Sequence, residues 1–169
     1  RQGATALLAS GLEAKQVTLE ITESKLMTGL SSALDTLKRL RDIGVGISVD
    51  DFGTGYSSLS YLSTLPISSL KVDRSFVNNM AKAEHDTEIV KAIVGLGNAL
   101  GKTVIAEGIE TPAQLSTLRK LGCQFGQGYL LAPPMSPEQA FQLIEAQRVD
   151  GPMKISPSAF GESATLTVH

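Results

Sequence analysis

Two adjacent carboxylates, Asp50 and Asp51, end an apolar run and are followed at once by a glycine-rich segment in the stretch 49–59. Side-by-side carboxylates at a strand end are suited to a divalent cation, because Mg²⁺ and Mn²⁺ prefer hard oxygen ligands. Gly53 and Gly55 would let the following loop fold over a ligand. A tight turn without functional motion is the alternative. This stretch is the first candidate for a metal-dependent site.

Other short apolar runs of the chain also end in polar residues. These residues are Glu20, Glu23, Lys71, Asp73, Glu107, Glu110 and Gln127. Two divalent ions about 3.5–4 Å apart can clamp a phosphodiester and activate the attacking water. We expect four carboxylates to serve as ligands, with Asp50 bridging both ions. The four are Glu20, Asp50, Asp51 and Glu107. Helix capping or exposure to solvent is the alternative role for any single one of them.

Lys71 is the cation expected among these acids. Its ammonium could neutralise charge that develops on a phosphate or orient a water. A structural salt bridge to Asp73 or to a neighbouring acid is the alternative. We expect Asp73 to position Lys71 or Arg74 rather than to bind metal.

Three further polar residues are expected to support the site. Glu23 and Glu110 each lie three residues beyond an expected metal ligand, so they fit a role in supporting ligands or anchoring a loop. Gln127 could hydrogen-bond a water or a phosphate oxygen. Alternatively, its amide is satisfied within the mouth of the sheet.

The elements that must position these residues alternate between strands and helices. Five apolar or β-branched runs have the length of buried parallel strands. They are Val17–Ile21, Val45–Val49, Ser69–Val72, Thr103–Ala106 and Phe125–Leu131. Amphipathic patterns lie between them, and a hydroxyl-Pro-x-Gln arrangement beginning at Thr111 and again at Ser136 predicts capped helix starts. Polar groups at the ends of five successive strands favour a (β/α) barrel over an open parallel sheet.

Composition limits the possible functions. The chain has 169 residues, is 42% hydrophobic and carries a net charge of −2, as expected for one globular domain. It has no cluster of Lys and Arg, so we expect no nucleic-acid binding through a basic face. No apolar run approaches the roughly 18 residues of a membrane span. Cys123 is the single cysteine, which rules out an internal disulfide, and we expect it to be a small buried residue.

The strand count is smaller than that of a complete barrel, which needs eight strands and about 250 residues. The first 11 or so residues fit the end of a helix that begins upstream, and residues 56–65 predict a short helix within a crossover. Helical periodicity stops after about Arg148. We therefore expect a partial barrel domain at 1–148 and an extended or disordered tail at 149–169.

Five motifs resemble the EAL family of cyclic-di-GMP phosphodiesterases. They are LEITES, VDDFGTGYSSL, LKVDRSF, AEGIET and GQGYLLAPPM, in family order between about Gly11 and Gln147. The resemblance implies an α/β fold, a (β/α)₈ TIM-like barrel of EAL type with one antiparallel strand, of which about five β/α units are present here. It also implies Mg²⁺- or Mn²⁺-dependent hydrolysis of cyclic-di-GMP to linear pGpG.

The resemblance assigns roles by motif. The implied metal ligands are Glu20, Asp50, Asp51 and Glu107. The implied catalytic residues are Lys71, Glu107 and Gln127. Residues expected in ligand binding or in the loop are Phe52, Gly53, Thr54, Gly55, Asp73 and Arg74. Glu23 resembles the glutamate that anchors this loop, and Glu110 is expected in a supporting position.

The departures from the family pattern concern the beginning of the domain. The E-A-L motif, its following arginine and the asparagine of the third strand are absent, which leaves one of the two metal sites incomplete. We expect this chain alone to have little or no activity, and to self-associate, for example as a homodimer, through unpaired strand edges. The alternatives are a non-catalytic module that binds cyclic-di-GMP or a protein, and an inert fragment. Upstream sensor or GGDEF domains and a cytoplasmic location, with a parent protein that could be membrane-anchored, are the remaining expectations.

Overall fold

The computed structural model describes residues 11–28, 30–55, 62–80 and 84–150, in which five strands alternate with helices. The strands are β1 (Thr18–Thr22), β2 (Gly46–Phe52), β3 (Ser69–Val72), β4 (Thr103–Ala106) and β5 (Phe125–Gly126). The helices are α1 (Glu23–Thr28), α2 (Leu30–Asp42), α3 (Arg74–Asn79), α4 (Glu84–Ala99), α5 (Pro112–Lys120) and α6 (Pro137–Asp150). A short 3₁₀ turn, Ala14–Gln16, precedes β1.

The five strands form one parallel sheet in the order β1-β2-β3-β4-β5. Thr22 is in register with Asp50, and Lys71 is in register with Ile105. Because the strands are parallel, their carboxyl ends lie along one edge of the sheet. The predicted α/β fold and its first four strands are therefore confirmed, and the described part of the chain is a partial barrel.

The fifth predicted strand, Phe125–Leu131, is wrong beyond Gly126. The backbone turns there: Ile109 N donates to Gln127 O at 3.1 Å, and Leu130 N donates to Ile109 O at 3.0 Å. A Cβ on Gly128 would lie 2.2 Å from Ile109 N and O, so glycine is what permits this close approach. Backbone hydrogen bonds to a neighbouring loop replace a continued strand ladder.

The hydrophobic core lies between the sheet and its helices. Leu70 and Val72 of β3 are fully buried and belong to the same cluster as Val90 and Val94 of α4. Side chains of a strand alternate between its two faces, so Lys71 points away from this core. Lys71 therefore lies on the opposite face of the sheet from Leu70 and Val72.

Helix starts agree with the sequence patterns. Thr111 caps α5, with Gln114 completing a capping box and Pro112 at the first position. Helix α6 extends to Asp150, and the rest of the predicted tail, residues 151–169, lies outside the described residues. The predicted helical end before Gly11 and most of the predicted helix at 56–65 also fall outside them. No helix of the described ranges combines the length and apolar character needed to cross a bilayer.

Candidate metal-dependent active site

Lys71, in β3, lies at the centre of a group of acids at the carboxyl edge of the sheet. Its Nζ is 2.8 Å from Glu20 Oε1, 3.1 Å from Asp50 Oδ1 and 2.6 Å from Glu107 Oε1. The Lys71 side chain is only 7% exposed. A buried ammonium is costly unless it is paired, and these carboxylates, from three neighbouring strand ends, provide the pairing.

The charges of this group influence one another. Burial opposes the charged form of Lys71, but its contacts with the carboxylates of Glu107, Glu20 and Asp50 outweigh it and raise the pKa of the ammonium. Burial raises the pKa of Glu107, and the neighbouring Lys71 offsets part of that rise. Lys71 is therefore a fixed positive charge at neutral pH.

Asp50, Asp51 and Glu107 form a second, overlapping group. One carboxylate oxygen from each lies within 4.8 Å of the others. Asp50 Oδ1 is buried and makes no hydrogen bond within the described structure, although Lys71 Nζ lies at ion-pair distance. Burial, followed by the charges of Asp50 and Asp73, raises the pKa of Asp51. Glu20, half-exposed, is not part of this group of three and reaches Lys71 instead.

The backbone at Asp51 explains how neighbouring carboxylates converge. Consecutive residues of a regular strand point to opposite faces of the sheet. Asp51 has φ +53°, and the pairing of β2 with β3 shifts register between Val49 and Phe52. Aspartate tolerates this left-handed conformation better than most residues. The irregularity brings the Asp51 carboxylate to the side on which Asp50 and Glu107 lie.

Glu23 holds the start of the glycine-rich loop. Its side chain is buried at the beginning of α1, and Oε2 accepts hydrogen bonds from Gly53 N at 2.9 Å and Gly55 N at 3.2 Å. Thr54 Oγ1 donates to Asp51 O at 2.8 Å. Phe52 is buried in the core and is thus unavailable to a ligand. The rest of the loop, residues 56–61, lies outside the described residues.

Gln127 and Glu110 occupy different surroundings. Gln127 Nε2 donates to Glu107 Oε1 at 2.8 Å, which joins this glutamine to the acidic group. The Glu110 side chain is exposed, and its backbone N, not its carboxylate, donates to Gln114 Oε1 at 2.8 Å. The sequence predicts the buried Gln114 only as a helix cap, because its further contacts depend on tertiary structure.

Asp73 and Arg74 lie at the start of α3. Asp73 Oδ1 accepts hydrogen bonds from Ser75 N, at 2.9 Å, and from Ser75 Oγ, so Asp73 caps the helix. The ion-pair partners of Lys71 within the described ranges do not include Asp73. Arg74 is exposed beside Gly108, whose added Cβ would lie 2.7 Å from Arg74 Cβ.

Comparison with known proteins identifies the family. The EAL domain model matches residues 3–134. The bifunctional diguanylate cyclase/cyclic di-GMP phosphodiesterase MucR of Pseudomonas aeruginosa is 52% identical over 134 residues, which are 79% of this chain and 20% of MucR. The chain spans about a fifth of the length of the curated relatives it matches.

Solved structures of EAL proteins are similar to this chain in both sequence and fold. The PaMucR phosphodiesterase in complex with c-di-GMP matches with a TM-score of 0.79 at 50% identity, covering 81% of this chain and 56% of that one. A manganese and cyclic-di-GMP complex of Klebsiella pneumoniae BlrP1 matches with a TM-score of 0.69 at 37% identity, covering 74% and 32%. Since the family model also covers more than half of its residues, the chain belongs to the EAL domain family.

Proposed function

We propose that this chain carries the catalytic group of a metal-dependent phosphodiesterase that hydrolyses cyclic-di-GMP to linear pGpG. The observation that supports the proposal most is the meeting of Lys71 with acids from three separate strand ends at one edge of the sheet. Relatives named as cyclic di-GMP phosphodiesterases and solved complexes with that nucleotide supply the substrate class.

The acidic group fits a divalent cation. Asp50, Asp51 and Glu107 offer oxygens close enough to share one ion, and the buried Asp50 Oδ1 makes no hydrogen bond within the described structure, its ion-pair contact with Lys71 Nζ aside. Carboxylates alone favour Mg²⁺ or Mn²⁺ over zinc. If two such ions were held, Asp50 would be the carboxylate shared between them and Glu20 would add a further carboxylate. Such ions supply positive charge at the phosphate and promote ionisation of a water.

The chain's own residues orient the reacting groups. Lys71 holds a positive charge where a phosphate would gain negative charge in the transition state, and burial strengthens that interaction. Glu107 accepts a hydrogen bond from Gln127 and pairs with Lys71, so its carboxylate is fixed in orientation. It is the proposed acceptor for a proton of the attacking water.

The loop after β2 is the proposed cover of the substrate. Glu23 fixes Gly53 and Gly55 through their backbone amides. Thr54 and Arg74 are both exposed near the strand ends and are the proposed contacts for nucleotide oxygens. The guanidinium of an arginine is well suited to phosphate.

Incubation of the full chain with cyclic-di-GMP and Mn²⁺, with chromatographic detection of linear pGpG, tests the proposal. We expect the unsubstituted chain to form only a small amount of product, and Asp50→Asn should abolish it. Asp42→Asn makes the same change of charge on an exposed residue at the end of α2 and should not affect it. Product formation that survives Asp50→Asn would reject the assigned role of Asp50.

The same experiment separates the alternative function. Saturable binding of cyclic-di-GMP without any product would favour a non-catalytic binding module. The position of Glu20 outside the group of three carboxylates is consistent with that alternative. Absence of both binding and product would reject the proposal for this chain.

Domain limits and location belong to the same proposal. The barrel domain, predicted at 1–148, is proposed to extend to Asp150, where α6 ends, with 151–169 as a tail. Sensor or GGDEF domains are proposed partners in the parent protein. A cytoplasmic site of action is consistent with the single, free thiol of Cys123.

A further inference from the structure

Gln114 lies in the first turn of α5 and is 6% exposed. Its Oε1 accepts hydrogen bonds from Glu110 N and Thr111 N, both at 2.8 Å. Its Nε2 donates to Val77 O and to Asn78 Oδ1, both at 3.3 Å. One buried amide thus connects the loop after β4 with the last turn of α3.

A second helix of the chain shows what a simple cap does. Gln139 occupies the same position in α6, where its Oε1 accepts from Ser136 N at 2.9 Å and its own N donates to Ser136 Oγ at 3.3 Å. Gln139 is exposed. Gln114 satisfies its own capping box in the same way and additionally donates to Val77 O, one of the carbonyls that a helix end leaves without an intrahelical donor.

The loop that Gln114 holds, residues 107–111, connects three strand ends. Glu107 N donates to Val72 O at 3.2 Å, at the end of β3. Ile109 N donates to Gln127 O at 3.1 Å, and Leu130 N donates to Ile109 O at 3.0 Å, so the loop also fixes the segment after β5. Any displacement of this loop would move Glu107 and Gln127 together.

We propose that Gln114 is a positioning residue for the acidic site. Its acceptor oxygen fixes the C-terminal end of loop 107–111, and its amide nitrogen ties that end to α3, which begins two residues after the end of β3. As a consequence, the distances from Glu107 to Gln127 and from Glu107 to Lys71 are both fixed. This inference rests on the proposed function for its catalytic consequence but not for its structural one.

Two substitutions distinguish the hydrogen bonds that Gln114 Oε1 accepts from those that Gln114 Nε2 donates. Gln114→Leu removes all four hydrogen bonds of the side chain. Gln114→Glu keeps the acceptor for Glu110 N and Thr111 N and removes the donor to both Val77 O and Asn78 Oδ1. Gln139→Leu is the matched control, because it removes the same kind of cap from α6 without loss of a contact to another element.

The expected result is a change in the site at a distance from the substitution. In the full chain, both Gln114 variants should lower kcat or Mn²⁺ affinity by about 10- to 100-fold, as removal of groups that support metal ligands commonly does. Hydrogen exchange at the Ile109 and Leu130 amides should become faster. Gln139→Leu should leave all three measurements as they are. If Gln114→Leu fails to fold, Gln114→Glu decides.

The measurements distinguish failure of the proposed function from failure of the positioning role of Gln114. If the unsubstituted chain forms no pGpG, the proposed function fails, while hydrogen exchange and Mn²⁺ affinity still test Gln114. Unchanged exchange at Ile109 and Leu130, together with unchanged Mn²⁺ affinity, in both Gln114 variants would overturn the positioning role. Equal changes in Gln139→Leu would overturn it as well.

Discussion

The ammonium of Lys71 lies 2.6–3.1 Å from three carboxylates, so removal of its charge should alter both the stability of the protein and the affinity of these acids for a divalent cation. Lys71→Met keeps most of the aliphatic volume but leaves the acids facing one another. We expect the metal-free protein to lose about 3 kcal/mol, because loss of one partner leaves buried charges uncompensated. We also expect Mn²⁺ to raise Tm more than in the unsubstituted chain, since a bound cation replaces the missing charge. Thermal unfolding with and without Mn²⁺ measures both effects.

The control for this prediction is Lys91→Met. Lys91 is an exposed residue of α4 whose Nζ lies 3.1 Å from Glu88 Oε2. An exposed pair of this kind contributes about 0–1 kcal/mol. A smaller Mn²⁺-dependent rise in Tm for Lys71→Met than for Lys91→Met would contradict the electrostatic argument.

The reactivity of the Cys123 thiol tests whether this side chain is buried in the folded protein. The thiol is buried, and burial raises its pKa, so the reactive thiolate is scarcer at a given pH than for an exposed cysteine. Its Sγ also donates to Phe125 O at 3.3 Å. We expect slow reaction with a disulfide reagent at pH 8 in the native state and fast reaction in denaturant. Comparable rates in both states would show that the segment before β5 is open.

Helix α4 contains an exposed glycine, Gly95, and a buried one, Gly97, which allows a comparison within one helix. A Cβ on Gly95 would meet nothing within 4 Å, whereas a Cβ on Gly97 would lie 2.2 Å from Val104 Cγ2 in β4. Gly95→Ala should stabilise the protein by about 0.5–1 kcal/mol through helix propensity alone. Gly97→Ala should destabilise it by about 1–3 kcal/mol, because the buried valine has no room to move. Denaturant unfolding measures both; equal effects would contradict the close packing of α4 on β4.

At the scale of elements, the sequence predicts continuous strands better than the point at which a strand is ended by a turn. β3 and β4 match their predicted ranges, since a short apolar run between polar residues leaves little choice of strand. The run after Phe125 is equally apolar, yet the backbone turns because Gly128 can approach Ile109. That turn depends on a neighbouring loop, which no local pattern reveals.

Over the whole molecule, the parallel arrangement of the strands made the position of the acidic site predictable from sequence. Contacts between elements that are distant in sequence were not predictable. Parallel strands bring their carboxyl ends together, so acids at strand ends, such as Asp50 and Glu107, could be placed at one edge from sequence. Lys71, expected among these acids, pairs with Glu20, Asp50 and Glu107. Asp73, the alternative partner, caps α3 instead. Gln114 was recognised as a cap, whereas its bonds to Val77 and Asn78 depend on where α3 ends.

Strand β1 lies at one edge of the sheet in the part of the chain that the structure describes, which leads to a prediction for the chain as a whole. Within the described ranges, β1 pairs only with β2, and Leu19 of β1 is 44% exposed. An edge strand with unpaired backbone groups and an exposed apolar side chain favours pairing with a second copy. We expect light scattering to give a mass above the 17.8 kDa of one chain. Leu19→Lys should shift the population towards that value.

Ile43→Lys is the control that separates pairing at the strand edge from a general effect of added charge. Ile43 is 52% exposed but follows α2 in a loop and therefore offers no strand edge. Because both substitutions add one positive charge in place of an apolar side chain, only the one in β1 should reduce the mass. A stable 17.8 kDa species with a sharp melting transition in the unsubstituted chain would contradict edge pairing, since the β1 edge would then be tolerated in contact with water.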